Sequence, residues 1–194
     1  MFAQSEMILI RHARAATEGR LAGRRDVGLE EGSEAALAAL AKALTDIHSL
    51  YVSPALRCRL TAEALWPDAP MLEDSRLWEQ DFGDWEGRPF DSLPDHGTMS
   101  RSELLDFAPP GGESFRAMQA RIVPALKDIA GVARHGDGPV AVVAHAGVVR
   151  VALSLALASP AQGLAFEVDP LSVTGLRCLP DGAFSIARVN WSLS

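Results

Sequence analysis

The sequence predicts a three-layer α/β fold, a mostly parallel sheet with helices on both faces, and two features of the chain carry that prediction. Apolar runs of strand length alternate with segments whose leucines recur at helical spacing. Two of those runs, Met7-Ile8-Leu9-Ile10 and Val140-Ala141-Val142-Val143-Ala144, stop at a histidine: Arg11-His12 in the first, His145 in the second. If both are parallel strands of one sheet, their C-terminal ends open onto the same edge, where open α/β sheets bind ligands. One histidine at a strand end is more often structural than functional. Two, one of them directly behind an arginine, favour a site for an anion.

Taken in order, the first strand is followed by an irregular, arginine-rich stretch from Ala13 to Leu29. A helix is expected from about Ser33, where Leu37, Leu40 and Leu44 share a face and the intervening alanines favour helix. Leu50-Tyr51-Val52 reads as the next strand, closed by Ser53-Pro54. Leu56 to Trp66 reads as a helix that stops before Pro67. From Asp84 to Gly112, Pro89, Pro94, Pro109 and Pro110 exclude one long helix or a central strand. That stretch is expected as an excursion over the active-site edge of a single 1–194 domain. A helix resumes at Glu113 with Phe115, Met118, Ile122 and Ile129 on one face, and Pro124 is expected to kink or divide it. The strand ending at His145 leads into Gly147 and a strongly apolar helix. Residues 164–191 alternate enough for two or three short strands that close the sheet.

Composition excludes several classes. A chain of 194 residues, 48% hydrophobic, can bury a full core. A net charge of -7 offers no footprint for nucleic acid or an anionic membrane, so an anionic small molecule would need a local arginine cluster. Two cysteines, Cys58 and Cys178, make a disulfide framework improbable. The start Met-Phe-Ala-Gln-Ser-Glu has neither the basic flank nor the apolar run of a signal peptide, so a cytoplasmic location is expected. The apolar stretch from Val148 to Ala158 is broken by Arg150 and is too short to span a bilayer.

Absent motifs narrow the chemistry further. There is no Gly-x-x-x-x-Gly-Lys-Ser/Thr loop, no cysteine with an arginine six positions on, and no second glycine around Ser114 to make a nucleophile elbow. No His-Glu-x-x-His or dense His/Asp/Glu cluster supplies metal ligands beside His12 and His145, so neither metal nor cofactor is expected. Phosphate fits such a cationic site best. A neutral imidazole is a competent nucleophile near neutral pH, arginine forks match phosphoryl oxygens, and a carboxyl group is needed to protonate the leaving oxygen.

At these residues the chain resembles a known family. Ile8-Leu9-Ile10-Arg11-His12, the run from Ser53 to Ala62, the run from Leu77 to Gly87, Pro110-Gly111-Gly112-Glu113-Ser114-Phe115, and Ala144-His145-Ala146-Gly147-Val148-Val149-Arg150 look like the successive motifs of the histidine phosphatase, or phosphoglycerate mutase-like, superfamily. The resemblance implies the phosphoglycerate mutase-like fold, His12 as phosphoacceptor, Arg11, Arg57 and His145 as the phosphate pocket, and Glu79 as proton donor. The full set of expected phosphate contacts is Arg11, Arg57, His145, Thr17, Gly23 and Arg24. The family's usual Arg-His-Gly, acidic residue, Thr or Ser is here Arg11-His12-Ala13-Arg14-Ala15, which removes one hydroxyl contact that Thr17 or a backbone N–H would replace.

Residues 19–29 and 81–90 are similar to the α-ribazole phosphatase branch of cobalamin biosynthesis, although Leu21-Ala22 stand where that branch often has Cys-Tyr. The expected activity is metal-independent phosphomonoester hydrolysis through phosphohistidine, with α-ribazole 5′-phosphate the suggested substrate. Phosphoglycerate mutase-type transfer and a non-catalytic phosphate-binding protein are the alternatives. The expected partner is a small-molecule phosphomonoester, with no nucleic acid and no membrane; a homodimer is left open. Arg24, Arg25 and Arg59 read first as solvated side chains, with Arg24 the best placed for ligand. Trp78, Phe82 and Trp85 read first as core rather than as a stacking platform, and His48, His96 and His135 as surface residues.

Overall fold

A computed structural model describes residues 3–44 and 47–193. Its centre is β1 (Glu6–Arg11), whose first five residues are fully buried. After it come α1 (Glu34–Ala43), β2 (Ser49–Val52), α2 (Leu56–Leu65) and a short β3 (Met71–Glu73). A six-residue α3 (Arg101–Asp106) precedes the long α4 (Phe115–His135). Then follow β4 (Val140–Ala144), α5 (Ala146–Ala156), β5 (Val173–Cys178) and β6 (Phe184–Trp191). The strands form one sheet in the order β3-β2-β4-β1-β5-β6. The first four of these are parallel; β5 and β6 close the sheet antiparallel.

Alternation along the central strands divides the core into two layers. Met7 and Leu9, with Val140 and Val142 of the neighbouring β4, pack with Met118, Ile122 and Ile129 of α4 and Val148 and Ala152 of α5. Ile8 and Ile10, with Ala141 and Val143, pack with Leu37 and Leu40 of α1 and Ala62 and Leu65 of α2. Each fully buried side chain of this size contributes about 1.5–3 kcal/mol. A strand apolar at every position therefore needs helices on both faces, which is the three-layer architecture the sequence predicts.

Three expectations change. Pro124 does not divide α4, which runs unbroken through it. The proline sits on the exposed side, so the carbonyl it leaves without an N–H partner is open to water while the apolar face stays seated on the sheet. Strand β3 was not expected; it is only three residues long, and all three are exposed at the sheet edge. His96 is not a plain surface residue, because its ring packs against Trp85 and Phe107 at centroid distances of 5.4 and 4.5 Å. His48 and His135 are exposed, as expected.

The proline-rich stretch 84–112 forms 3-10 turns and α3, which Ser100 and Glu103 cap reciprocally. It is tied to the loop after β1 by Leu21 N–H donating to the Arg88 carbonyl and Phe90 N–H to that of Gly19, both at 3.0 Å. Both cysteines are buried and free. No described helix is long and apolar enough to cross a membrane.

Candidate active site

Parallel pairing of β1 with β4, in which Arg11 lies opposite Ala144, brings the two strand-end histidines together. His12 N–H extends the ladder by donating to the Ala144 carbonyl at 2.9 Å, and the His12 and His145 rings meet edge to face at 5.3 Å. His12 Nδ1 lies 2.6 Å from the Ala13 carbonyl. A carbonyl only accepts, so Nδ1 carries the proton and Nε2 keeps its lone pair. Burial lowers the His12 pKa to about 3; the Ala13 hydrogen bond opposes this, and the charges of Arg57 and Arg11 reinforce it. At neutral pH the ring is an uncharged nucleophile.

Arg57 is a buried cation of the site. It sits one residue into α2 and is 1% exposed. Its Nε donates to His12 Nε2 at 3.3 Å, its Nη1 to the Arg25 carbonyl at 3.0 Å, and its Nη2 to the Gly23 carbonyl at 2.7 Å and His145 Nδ1 at 3.2 Å. Every one of these partners is neutral. A buried guanidinium with no carboxylate partner among the described residues is the arrangement that an arriving anion completes. Arg11 is similar: Nη1 donates to the Val168 carbonyl at 2.6 Å and its buried Nε has no partner among the described residues. Burial pulls the Arg11 pKa below its usual value, opposed by the charge of Glu79.

His145 is fully buried at the N-cap of α5 and stands behind Arg57, off the cavity wall. Since its Nδ1 accepts from Arg57, its Nε2 carries the proton and donates to Ser53 Oγ at 2.8 Å. Trp78 lies parallel to the ring at 6.4 Å, so this tryptophan supports the histidine and does not face ligand. Burial and the Arg57 charge hold the His145 pKa well below 6.5.

The two histidines make stability depend on pH. Above about pH 6.5 they are neutral whether the chain is folded or not. As pH falls through that value the unfolded chain takes up protons that the native chain refuses, down to about pH 3 for His12. Stability should therefore fall between pH 6.5 and 5 by about 1.4 kcal/mol per pH unit for each fully shifted histidine. Urea unfolding at pH 7 and pH 5 measures it. Equal stabilities would contradict two buried neutral rings.

A cavity of about 490 Å³ opens beside these groups, lined among others by Arg11, His12, Arg14, Thr17, Gly23, Arg57, Glu79 and Arg150. Thr17 is one of the residues of this wall. Gly23 contributes its carbonyl to Arg57 and has a φ of +53°; a Cβ there would lie 2.1 Å from Glu86 Oε1. Ala13 needs no left-handed conformation. It is buried, and its N–H donates to Thr61 Oγ1 at 3.0 Å, so the departure from Arg-His-Gly fits its place.

Arg24 is not brought to the cavity. Its guanidinium pairs instead with Asp81 at 3.7 Å and Glu113 at 3.3 Å, two carboxylates that do not line the cavity. Sequence reasoning missed Arg14 and Arg150. Arg150, anchored by Nε to the Phe166 carbonyl at 3.1 Å, had a signal: it is the one charge inside an otherwise apolar helix.

Glu79 lines the cavity, and Oε2 accepts from Gly147 N–H at 3.3 Å while Oε1 accepts from Gln80 N–H at 3.0 Å. Asp81, Asp84 and Glu113 do not line it. A Cβ at residue 147 would lie 2.2 Å from Glu79 Oε1 and 2.5 Å from Met118 Cε. Gly147→Ala should therefore displace the carboxyl and lower kcat about ten- to a hundredfold with little loss of fold. A variant with unchanged kcat would mean that the close approach is unimportant. Among the described residues no group of three or more His, Cys, Asp or Glu is arranged to hold a metal.

Known proteins share this architecture. A bifunctional protein of Mycobacterium tuberculosis is 30% identical over 200 residues, which is 96% of this chain. This chain spans 54% of that relative's length. Glucosyl-3-phosphoglycerate phosphatase of Mycolicibacterium vanbaalenii is 31% identical over 183 residues, 87% of this chain and 78% of that one. The solved structure of Bacillus stearothermophilus YhfR superimposes with a TM-score of 0.84 at 28% identity, covering 97% of this chain and 98% of that one. The sequence profile of the histidine phosphatase superfamily (branch 1) matches residues 7–192, from β1 to the end of β6, and this chain is a member of that superfamily.

Proposed function

We propose that the chain is a phosphoric monoester hydrolase that needs no metal and passes the phosphoryl group through His12. The observation that carries the reading is a neutral imidazole on a cavity wall, its Nε2 held against a buried arginine that has no carboxylate partner among the described residues. In the first step Nε2 attacks phosphorus, the bond to the ester oxygen breaks, and Glu79 gives that oxygen its proton. In the second, water attacks the phosphohistidine, the carboxylate of Glu79 takes the water's proton, and phosphate leaves. Arg57 and Arg11 stabilise the charge of the transferring group throughout. The Ala13 carbonyl supports the ring as it becomes positive on phosphorylation. His145 acts through Arg57, whose Nη2 it receives.

Chelation tests the metal-free reading directly. Activity measured before and after EDTA should be unchanged, and a large loss restored by a divalent ion would move the site to metal-assisted hydrolysis. For the substrate, α-ribazole 5′-phosphate is the finer proposal. The two stretches that carry that resemblance, 19–29 and 81–90, meet on the cavity wall through Leu21, Ala22, Gly23, Phe82 and Phe90. Phe82 and the 55% exposed Phe90 are suited to a heterocyclic leaving group, while Trp85 packs on His96 and Phe107 instead. A screen of phosphomonoesters, with glucosyl-3-phosphoglycerate, sugar phosphates and nucleotides beside α-ribazole 5′-phosphate, decides this; preference for another ester class would overturn it.

A further inference from the structure

Glu79 sits on a segment with no regular structure, since residues 78–82 belong to neither helix nor strand. Such a segment has no ladder to receive its carbonyls or to hold its side chain at a set height. Arg121, on α4 and off the cavity wall, supplies the missing partners. Its Nη1 donates to the carbonyls of Arg76 at 2.8 Å and Trp78 at 2.7 Å, and its Nη2 to that of Glu79 at 2.8 Å. The remaining donors go to Glu113, Nε to Oε2 at 3.2 Å and Nη2 to Oε1. All five N–H groups are thereby used, three of them on the backbone that carries Glu79.

Glu113 completes the clamp. Its Oε1 also accepts from Asp81 N–H at 3.1 Å and from Arg24, while its backbone carbonyl accepts from Gln80 Nε2 at 2.8 Å. Burial pushes the Glu113 carboxyl up, but the Arg121 hydrogen bond, the Asp81 N–H and the charges of Arg121 and Arg24 together leave it below its usual value. It is a charged anchor at neutral pH. The planar guanidinium reaches two carbonyls on one nitrogen and a third carbonyl with the carboxylate on the other, which an ammonium cannot do.

We infer that Arg121, fixed by Glu113, is a positioning residue for proton transfer by Glu79, holding the segment 76–79 so that the carboxyl meets the leaving oxygen. The inference rests on the reading of Glu79 as the proton donor. A positioning role differs from a general contribution to folding in one measurable respect: it acts only on substrates that need the proton. An alkoxide leaves poorly and needs it; p-nitrophenolate does not.

The experiment is single-turnover phosphorylation of His12 in the full chain, with glycerol 3-phosphate and with p-nitrophenyl phosphate. Arg121→Gln should slow the alkyl ester about a hundredfold and the nitrophenyl ester no more than about threefold. In a Glu79→Gln background the same change should slow the alkyl ester by no more than about a further threefold, because the group it positions is already disabled. Arg121→Lys should recover part of the alkyl-ester rate. Equal losses on the two esters, or losses that multiply in the double variant, would overturn the inference. If Arg121→Gln does not fold, Glu113→Gln releases the guanidinium from its far side and should show the same selectivity at smaller size; equal losses there count against the inference as well. Glu79→Gln alone tells the two readings apart: equal losses on both esters in that single variant overturn the proton-donor assignment, and this inference with it. If neither ester reacts with the wild type, the alkyl ester turned over best in the phosphomonoester screen takes their place, and a wild-type His12 that no ester of the screen phosphorylates overturns the phosphohistidine reading and the clamp with it.

Discussion

His12→Ala should lower turnover by about 10⁴- to 10⁶-fold while the chain stays folded, the scale on which enzymes lose rate when a covalent nucleophile is deleted. The fold should tolerate the change because the ring is not part of either apolar layer. It stands at the end of β1 with polar partners, the Ala13 carbonyl and Arg57. Residual activity would come from Arg57 and Arg11 binding the phosphoryl group without attack on it. Wild-type enzyme quenched during reaction with ³²P-labelled substrate should carry an acid-labile, alkali-stable adduct, and the variant none. Full turnover by His12→Ala, with native circular dichroism, would remove His12 from the mechanism.

Glu79→Gln is expected to have the next largest effect, and the effect should depend on the substrate. General acid catalysis is worth about 10²- to 10⁴-fold, so single-turnover phosphorylation by an alkyl phosphate should fall by that factor. Phosphorylation by p-nitrophenyl phosphate should fall only a few-fold, since its leaving group is stable as an anion. Steady-state rates would hide the difference if hydrolysis of the phosphoenzyme were slow. Equal losses on both esters would mean that Glu79 orients or charges the cavity. Asp81, Asp84 and Glu113 are poor replacements, since none of them lines the cavity and Glu113 is committed to Arg121 and Arg24. Glu30 is then the carboxylate left on the wall.

Much of the molecule is determined by local pattern. The unbroken apolar runs of β1 and β4 leave no polar face to turn to water, so helices must cover both sides of the sheet, and the leucine spacing of α1 and α2 and the face of α4 supply them. Strand-end placement marks His12 and His145 in the same way, because a parallel pair ends on one edge. The motif order adds Arg11, Arg57 and Glu79.

What the linear order does not contain is the partner of each charge. Arg24 and Arg57 look alike in sequence, a basic residue in a loop and one at a helix start. In the fold Arg57 is sealed among carbonyls and imidazoles, while Arg24 meets Asp81 and Glu113 at the surface. Arg121 and Glu113 are eight residues apart on and beside α4, yet their importance comes from carbonyls 42 to 45 residues upstream. His145 ends behind Arg57 because Ser53, Cys58 and Trp78, from three other segments, close around its ring. Strand position and helix face follow from periodicity, a property of neighbours along the chain. Which charge is buried, which is paired and which faces the cavity depends on contacts between distant segments and on the burial they create, and only the tertiary structure decides those.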